Sequence, residues 1–261
     1  MRVINLSSGS DGNLTYVETD NARILVDDGL SCKETQSRLS MIGIDGNQID
    51  GIVITHEHVD HIKGVDVFSR KFNIPVYAHD EVWAELYDKL QKVPDKNKKI
   101  FTDIFAVKDL VLSPIEVPHD VKCFGFSISE DNKKISILTD LGHTDERILK
   151  GVQGSQLVYL EANHDINMLK NCAKYPLTLK MRIAGKNGHL SNDASAEFIE
   201  KLVTTGTRQI VLSHLSKENN TPELAFNYIS SKLAGKGLIE GETFKIDVAL
   251  TRPTTLFKLK K

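Results

Sequence analysis

Short apolar segments dominate the pattern of hydrophobic and polar positions along the chain, and polar turns or amphipathic stretches separate them. This pattern favours strands punctuated by helices. It predicts strands over residues 3–6, 14–18, 22–26, 51–55, 75–78, 104–107, 110–117, 124–128, 135–139, 157–160, 208–212, 244–250 and 255–259. It predicts helices over residues 62–72, 80–90, 144–152, 193–204 and 222–235, and one that follows a capping box at residues 31–34 and ends near Met41.

No linker rich in proline, glycine or serine interrupts these elements, and the chain has no low-complexity run. The simplest arrangement is a single domain over residues 1–261, an α/β protein with two sheets and helices outside them. The loop of residues 7–13 carries turn chemistry, and it is either a plain hairpin loop or an edge of a functional site.

The composition excludes several classes of protein. The 261 residues are 40% hydrophobic and 26% charged, which is typical of a soluble globular protein. A net charge of −2 excludes a uniformly basic nucleic-acid-binding surface, so any anion must bind locally. Cys32, Cys123 and Cys172 form no CxxC pair and are expected to be reduced and buried. Without a signal peptide or a membrane-spanning apolar run, we expect a cytoplasmic protein.

The strongest chemical signal is the segment from His56 to His61, at the turn between a predicted strand and a predicted helix. His56 and His58 are two positions apart, so they point the same way from an extended backbone. Asp60 and His61 are neighbours that diverge, which suits a second ion nearby. Imidazole and carboxylate without thiolate favour zinc, manganese or iron. The alternative is a polar surface turn that holds three histidines.

Further ligand types stand at the ends of predicted strands, where α/β proteins form their sites. His119, Asp140 and His214 each follow a strand, although each alone could be a hydrogen-bonded turn residue. Asp27 ends the buried strand of residues 22–26, where a carboxylate often orients a ligand histidine.

A basic segment, residues 170–186, precedes His189 and contains no acidic residue. It is either a basic surface helix or a contact for phosphates that extend past a scissile bond. The basic stretch of residues 91–99 is interpreted as a solvated loop, with a substrate contact as the alternative.

The order of these residues resembles the metallo-β-lactamase fold: the His-x-His-x-Asp-His segment is followed by His119, Asp140 and His214, with Asp27 at the position of that fold's first aspartate. Longer strings at residues 8–13, 161–165, 188–192 and 213–220 are similar to the YycJ (WalJ, VicX) branch of that fold. The branch is associated with metal-dependent DNA exonuclease activity and with an operon for a two-component cell-wall regulator. The chain lacks the large insertion of RNA-processing members with a β-CASP module.

The resemblance implies an αββα sandwich of two mixed sheets with helices on the outer faces. It implies one ion held by His56, His58 and His119, and a second held by Asp60, His61 and His214. Asp140 would bridge the two ions, and a hydroxide between them would be the nucleophile. His189 would protonate the leaving group, or else cap a helix or contact a phosphate. For His164 a structural hydrogen bond is expected.

The predicted function is therefore a phosphodiesterase with two divalent ions, zinc or manganese with iron as a further option. The predicted substrate is DNA, degraded 5′-to-3′ by resemblance, and no membrane partner is expected. Asp60, Asp140 and His189 are the predicted catalytic residues. The predicted substrate contacts are Lys174, Lys180, Arg182, Ser191 and Asn192.

Two alternatives stay open. One is a small-molecule hydrolase of the same fold, such as a cyclic phosphodiesterase, thioesterase or lactonase, and the other is a metal-binding accessory protein of a two-component pathway. The sequence does not determine which metal binds, whether the substrate is DNA or RNA, the direction of digestion or the oligomeric state.

Overall fold

A computed structural model describes residues 1–251 in full and the backbone of residues 255–258. The chain forms two compact units. Unit 1 comprises residues 1–114, 128–132 and 250–261, and unit 2 comprises residues 115–127 and 133–249. Within the described part of the chain, no helix has the length and apolar character that crossing a bilayer requires.

Unit 1 contains a mixed sheet that has seven strands within the described residues. The strands are β1 (Arg2–Ser7), β2 (Leu14–Glu18), β3 (Arg23–Val26), β4 (Gly51–Val53), β5 (Val76–His79), β6 (Lys98–Phe101) and β14 (Thr255–Lys258). Their order is β14-β1-β2-β3-β4-β5-β6, antiparallel up to β3 and parallel from there to β6. The helices are α1 (Cys32–Met41), α2 (Val59–Ile62), α3 (Val65–Phe72) and α4 (Asp80–Leu86).

A second mixed sheet also has seven strands among the residues that the structure describes. They are β7 (Phe105–Val107), β8 (Leu110–Val117), β9 (Cys123–Glu130), β10 (Lys133–Leu138), β11 (Leu157–Glu161), β12 (Gln209–Ser213) and β13 (Lys245–Val248), in the order β13-β12-β11-β10-β9-β8-β7. Strands β10 to β13 are parallel. The helices of unit 2 are α5 (Glu146–Val152), α6 (Ile166–Asn171), α7 (Leu177–Ile183), α8 (Asn192–Thr204) and α9 (Pro222–Ala234).

The core of unit 2 holds the ends of its parallel strands in place. Leu160 and Leu212 are fully buried and belong to one apolar cluster with Phe198 and Leu202 of α8 and Ile229 of α9. Each such side chain contributes about 1.5–3 kcal/mol of transfer free energy. The residues that directly follow β10, β11 and β12 therefore stand on a rigid support.

Most predicted strands and helices are present. The predicted helix over residues 62–72 is divided into α2 and α3 at Gly64, where an added Cβ would lie 2.4 Å from the Leu30 carbonyl oxygen. The predicted loop over residues 91–99 includes the start of β6, which pairs with β5. The last predicted strand, residues 255–259, extends one residue outside the described chain. Helices α6 and α7 were not predicted, because their short segments lack a clear periodicity.

Asp28 is a buried carboxyl in unit 1 whose ionisation should couple stability to pH. It is fully buried, and the Thr35 hydroxyl donates a hydrogen bond of 2.5 Å to it. Burial, with a smaller contribution from the neighbouring charge of Asp27, raises the pKa of Asp28 to about 7 although the Thr35 hydrogen bond lowers it. Because the folded pKa exceeds the unfolded one, the proton stabilises the fold at low pH, and that stabilisation is lost as pH rises through about 7.

Asp28→Asn cannot ionise, so it should be more stable than the wild type at pH 8, by up to about 4 kcal/mol. The difference should narrow as pH falls towards 5. Urea unfolding of both proteins across this pH range measures the difference in their free energies of unfolding. The control is Asp131→Asn, which lies on an exposed hairpin turn. A difference that stays constant with pH would contradict the raised pKa.

Candidate metal-ligating clusters

In unit 1 the histidine segment lies between the end of β4 and the start of α2, as predicted. His56 and His61 are buried, and His58 is partly buried. The ring centroid of His56 is 4.7 Å from that of His58 and 4.1 Å from that of His61. The close spacing of these rings brings three imidazoles together within one turn of the chain.

Asp27 contacts His61 directly and His56 through the Thr55 hydroxyl. Its Oδ2 accepts a hydrogen bond of 2.7 Å from His61 Nδ1, and its Oδ1 accepts one of 2.9 Å from the Thr55 amide. The Thr55 hydroxyl donates to Asp27 and lies 3.0 Å from His56 Nδ1. With Nδ1 of His61 donating to Asp27, its Nε2 carries the lone pair that a metal ion requires.

The loop of residues 7–13 contacts the histidine segment, so it is more than a hairpin connection. Nδ2 of the Asn13 side chain lies 3.0 Å from His61 Nε2 and donates a hydrogen bond to Asp60 Oδ2 at 3.4 Å. The Asn13 backbone amide donates to the Asp60 carbonyl at 2.8 Å. Gly29 packs against the same carbonyl so closely that any side chain would collide with it. These contacts fix the backbone around Asp60.

Unit 2 brings four potential ligand residues together at the ends of parallel strands. Asp140 follows β10, Glu161 ends β11, His214 follows β12, and His189 precedes α8. One potential ligand atom from each lies within 4.8 Å of the others. His214 Nδ1 is 3.3 Å from Asp140 Oδ1, and His189 Nδ1 is 3.6 Å from the same oxygen. Parallel strands place their carboxyl ends at one edge of the sheet, which explains this convergence.

Glu161 is the functional residue that sequence reasoning missed. It is fully buried, and its Oε1 accepts hydrogen bonds from His189 Nδ1 at 2.8 Å and His214 Nδ1 at 2.7 Å. Its Oε2 accepts from the amides of Leu141 at 3.1 Å and Leu190 at 3.0 Å. Burial opposes ionisation, but the two histidines outweigh it and lower the pKa of Glu161. The available signal was its place at the end of a buried strand, the feature that identified Asp27.

His189 lies beside two carboxylates, those of Glu161 and Asp140. Burial favours its neutral form, but Glu161 and Asp140 outweigh this and raise the pKa of His189. Because Nδ1 donates to Glu161, Nε2 is the nitrogen through which a proton can reach another group. About 21% of the side chain is exposed, so solvent reaches it.

His119 and His164 occupy different environments in unit 2. His119 follows β8, with Nδ1 3.3 Å from the Gly188 carbonyl oxygen, and burial lowers its pKa. His164 is 2% exposed, and its carbonyl oxygen accepts a hydrogen bond of 2.9 Å from the Asn192 amide, whereas its Nδ1 has no partner within residues 1–251. The expected structural hydrogen bond of His164 is therefore made by its backbone and not by Nδ1.

Backbone geometry marks the same positions. Asp27, Asp140 and His214 have positive φ angles of 60°, 58° and 54°. A side chain in this left-handed region costs of order 1 kcal/mol, and such residues persist where the surroundings fix them. Asp27 and His214 directly follow a strand, and Asp140 stands two residues after the end of β10.

The predicted substrate contacts are partly occupied by partners from elsewhere in the chain. Lys174 forms an ion pair of 2.6 Å with Glu218, and Arg182 pairs with Asp120. Lys180 donates to the Lys170 carbonyl at 2.9 Å. The remaining two predicted contacts, Ser191 and Asn192, make hydrogen bonds within unit 2. Ser191 caps α8 by accepting from the Ala194 amide, and Asn192 hydrogen-bonds to Asn220.

Comparison with known proteins decides the family. Residues 22–215 match the family described as Beta-lactamase superfamily domain. Exodeoxyribonuclease YycJ of Bacillus anthracis is 36% identical over 244 residues, 92% of each chain. Exodeoxyribonuclease WalJ of Streptococcus pneumoniae serotype 2 is 38% identical over 248 residues, 92% of this chain and 91% of that one. The chain belongs to the YycJ/WalJ family of the beta-lactamase superfamily.

Membership of the YycJ/WalJ family confirms the predicted resemblance and the predicted class of enzyme, a metallohydrolase. Zn(2+)-bound PqqB from Methylobacterium extorquens aligns with a TM-score of 0.73 over 98% of this chain and 99% of that one. At 14% identity this alignment shows the fold alone. It confirms the predicted α/β class with two mixed sheets and helices.

Proposed function

We propose that this YycJ/WalJ-family protein is a phosphodiesterase with two divalent metal ions that degrades DNA as an exonuclease, 5′-to-3′. The observation that carries the proposal is its similarity, over nine-tenths of the chain, to two proteins named exodeoxyribonucleases. In each unit a carboxylate also accepts from Nδ1 of a candidate ligand histidine, Asp27 from His61 and Glu161 from His214, which supports the proposal.

The donor chemistry fits divalent zinc or manganese, with iron as a further option, since every donor is nitrogen or oxygen. We assign His56, His58 and His119 to one ion and Asp60, His61 and His214 to the other, with Asp140 shared between them. Bound ions of this kind lower the pKa of water to about 7 and offset the charge of a phosphodiester. The hydrogen bonds from Asp27 and Glu161 would hold His61 and His214 in the tautomer that offers Nε2.

The chain's own groups supply the remaining step. When the phosphorus–oxygen bond breaks, the leaving oxygen of the DNA needs a proton, and His189 Nε2 would donate it. Glu161 holds the ring through Nδ1 and favours its protonated form. Glu161 thus acts as a positioning residue for both His189 and His214.

The test combines metal analysis with a substrate panel. Protein purified without chelator should contain about two ions per chain, since each ligand set needs one. It should digest end-labelled DNA and lose that activity in chelator. Panels of single- and double-stranded DNA and RNA, labelled at either end, determine the preference and the direction. Protein that holds no transition metal and takes up none would contradict the proposal, as would metal-loaded protein inert towards DNA.

The basic segment gives a separate prediction about DNA binding. Changing Lys174, Lys180 and Arg182 together to alanine should weaken DNA binding and flatten its dependence on salt. Each phosphate contact contributes about 0.9 to the slope of log affinity against log salt, so the slope should fall by between about 1 and 3. The smaller value applies if Lys174 and Arg182 stay paired with Glu218 and Asp120.

Affinity for a labelled oligonucleotide, measured across salt concentrations, decides it. The matched control is Lys92, Lys96 and Lys99 changed to alanine, which removes the same charge from exposed positions of unit 1. An unchanged slope in the first variant, or an equal change in both, would mean that the basic segment does not contact the phosphates.

A further inference from the structure

Unit 2 contains a cavity of about 530 Å³ between α6, α7 and the start of α8, here called the α7 cavity. Its apolar wall comprises Ile166, Leu169, Leu177 and Met181, and His164, Lys170, Lys180 and His189 also line it. The volume lies within the range of small-molecule sites. Because His189 lines it, whatever occupies the α7 cavity would lie beside the proposed proton donor.

The apolar wall is exposed although burying it would be favourable. Leu177 is 71% exposed, Met181 66% and Ile166 53%, and they belong to two short neighbouring helices. Contiguous exposed apolar side chains with polar groups at their margin mark ligand-binding surfaces. A flat apolar group that covers this wall would bury its apolar surface, and the transfer free energy of that surface would stabilise the complex.

His164 gives an independent indication of a ligand. The residue is 2% exposed and lines the α7 cavity, and its Nδ1 makes no hydrogen bond within residues 1–251. Leaving a buried polar group without a partner costs about 1–3 kcal/mol. A neutral imidazole offers one donor and one acceptor, so it is matched by an occupant that carries polar atoms on a mainly apolar body.

Charge restricts the occupant further. Lys170 and Lys180 place two cationic groups at the cavity, and no carboxylate lines it among the described residues. The occupant should therefore combine a flat apolar body, polar ring atoms and a negative charge. A nucleoside with its phosphate has all three. A fatty acid has a negative charge and an apolar body but no flat ring with polar atoms.

We propose that the α7 cavity binds the nucleoside next to the scissile phosphate, with its base against Leu177 and Met181 and its phosphate near Lys170, Lys180 and His189. The proposal rests on the phosphodiesterase function for the identity of the reacting group. A base held in this way is unstacked from its neighbours, which costs least at a frayed or single-stranded end. The α7 cavity would therefore make the enzyme depend on the terminal base.

The activity test compares two labelled single-stranded oligonucleotides, one ending in a normal nucleotide and one ending in an abasic residue. The wild type should remove the normal terminal nucleotide at least about 10-fold faster, because base stacking contributes about 1–3 kcal/mol. Leu177→Ser with Met181→Ser should reduce that ratio towards one. The matched control is Ile100→Ser with Ile104→Ser, which changes side chains 66% and 62% exposed in unit 1 and should keep the ratio.

A binding test separates this proposal from the proposed function. Calorimetry with thymidine monophosphate should show binding to the wild type and a loss of at least about 10-fold in the Leu177/Met181 variant, whether or not the protein hydrolyses DNA. Equal rates on the two ends overturn the proposal, as do failure of the nucleotide to bind and binding that the variant leaves intact. Displacement of the nucleotide by decanoate but not by thymidine would also overturn it, in favour of an acyl site.

Discussion

Replacing Asp140 with alanine should abolish turnover and weaken metal binding while the fold stays intact. Asp140 is 2% exposed, and its Oδ1 lies 3.3 Å from His214 Nδ1. If one carboxylate is shared by two ions, both lose a ligand when it is removed. A loss of at least about 10³-fold in rate, equivalent to about 4 kcal/mol of activation free energy, is expected. Elemental analysis and turnover measure the two effects on one preparation.

The control for Asp140→Ala must match its backbone as well as its charge. Asp131 is an exposed aspartate with a φ angle of 52°, close to the 58° of Asp140. Asp131→Ala therefore removes a carboxylate from the same left-handed conformation without touching either cluster. Circular dichroism of the metal-free proteins checks that both variants fold. Asp140→Ala with the turnover and metal content of the wild type would remove Asp140 from the bridging role.

Local geometry explains what the sequence could predict about the candidate site. The two-residue spacing of His56 and His58 directs both side chains the same way whatever surrounds them. Asp27 could be assigned an orienting role because it ends an apolar strand, and the structure places its carboxylate 2.7 Å from His61 Nδ1. These inferences depended on the chain within a few residues of each position.

Glu161 and His164 show where that reasoning stops. Glu161 ends a buried strand just as Asp27 does, but its role depends on His189 and His214, which are 28 and 53 residues away. No residue near Glu161 in the sequence indicates that His189 and His214 are its partners. His164 suggested a hydrogen-bonded core histidine, and only the tertiary structure shows that its Nδ1 has no partner within residues 1–251 while its carbonyl accepts from the Asn192 amide.

Distant contacts also modify the elements and charges predicted from the chain. The helix over residues 62–72 breaks at Gly64, whose amide donates to the Asp28 carbonyl at 2.8 Å instead of to a carbonyl of the preceding helical turn. The basic segment contains no acid of its own, but Glu218 and Asp120 pair with Lys174 and Arg182. A charge count along the sequence therefore overestimates the positive charge that this segment presents to DNA.

His189→Ala should slow the cleavage of DNA far more than the cleavage of an activated nitrophenyl phosphodiester. A proton donor contributes about 10²–10⁴-fold when the leaving oxygen is strongly basic. Nitrophenolate is stable without a proton, so the rate at which the variant cleaves the nitrophenyl ester should fall by less than about 10-fold. Rates on both substrates, taken with saturating metal, give the ratio. His143→Ala provides the control, since His143 is in unit 2 and bonds to the Lys186 carbonyl.

Glu161→Gln distinguishes proton donation by His189 from a binding role. Glutamine keeps a group of the same size beside His189 Nδ1 but removes the charge that favours the protonated ring. The variant should therefore show the same kind of selectivity as His189→Ala, with a larger loss on DNA than on the nitrophenyl ester. Adding Glu161→Gln to His189→Ala should not increase that selectivity, because the group through which Glu161 acts is gone. Equal losses on the two substrates in His189→Ala would instead assign His189 to substrate binding.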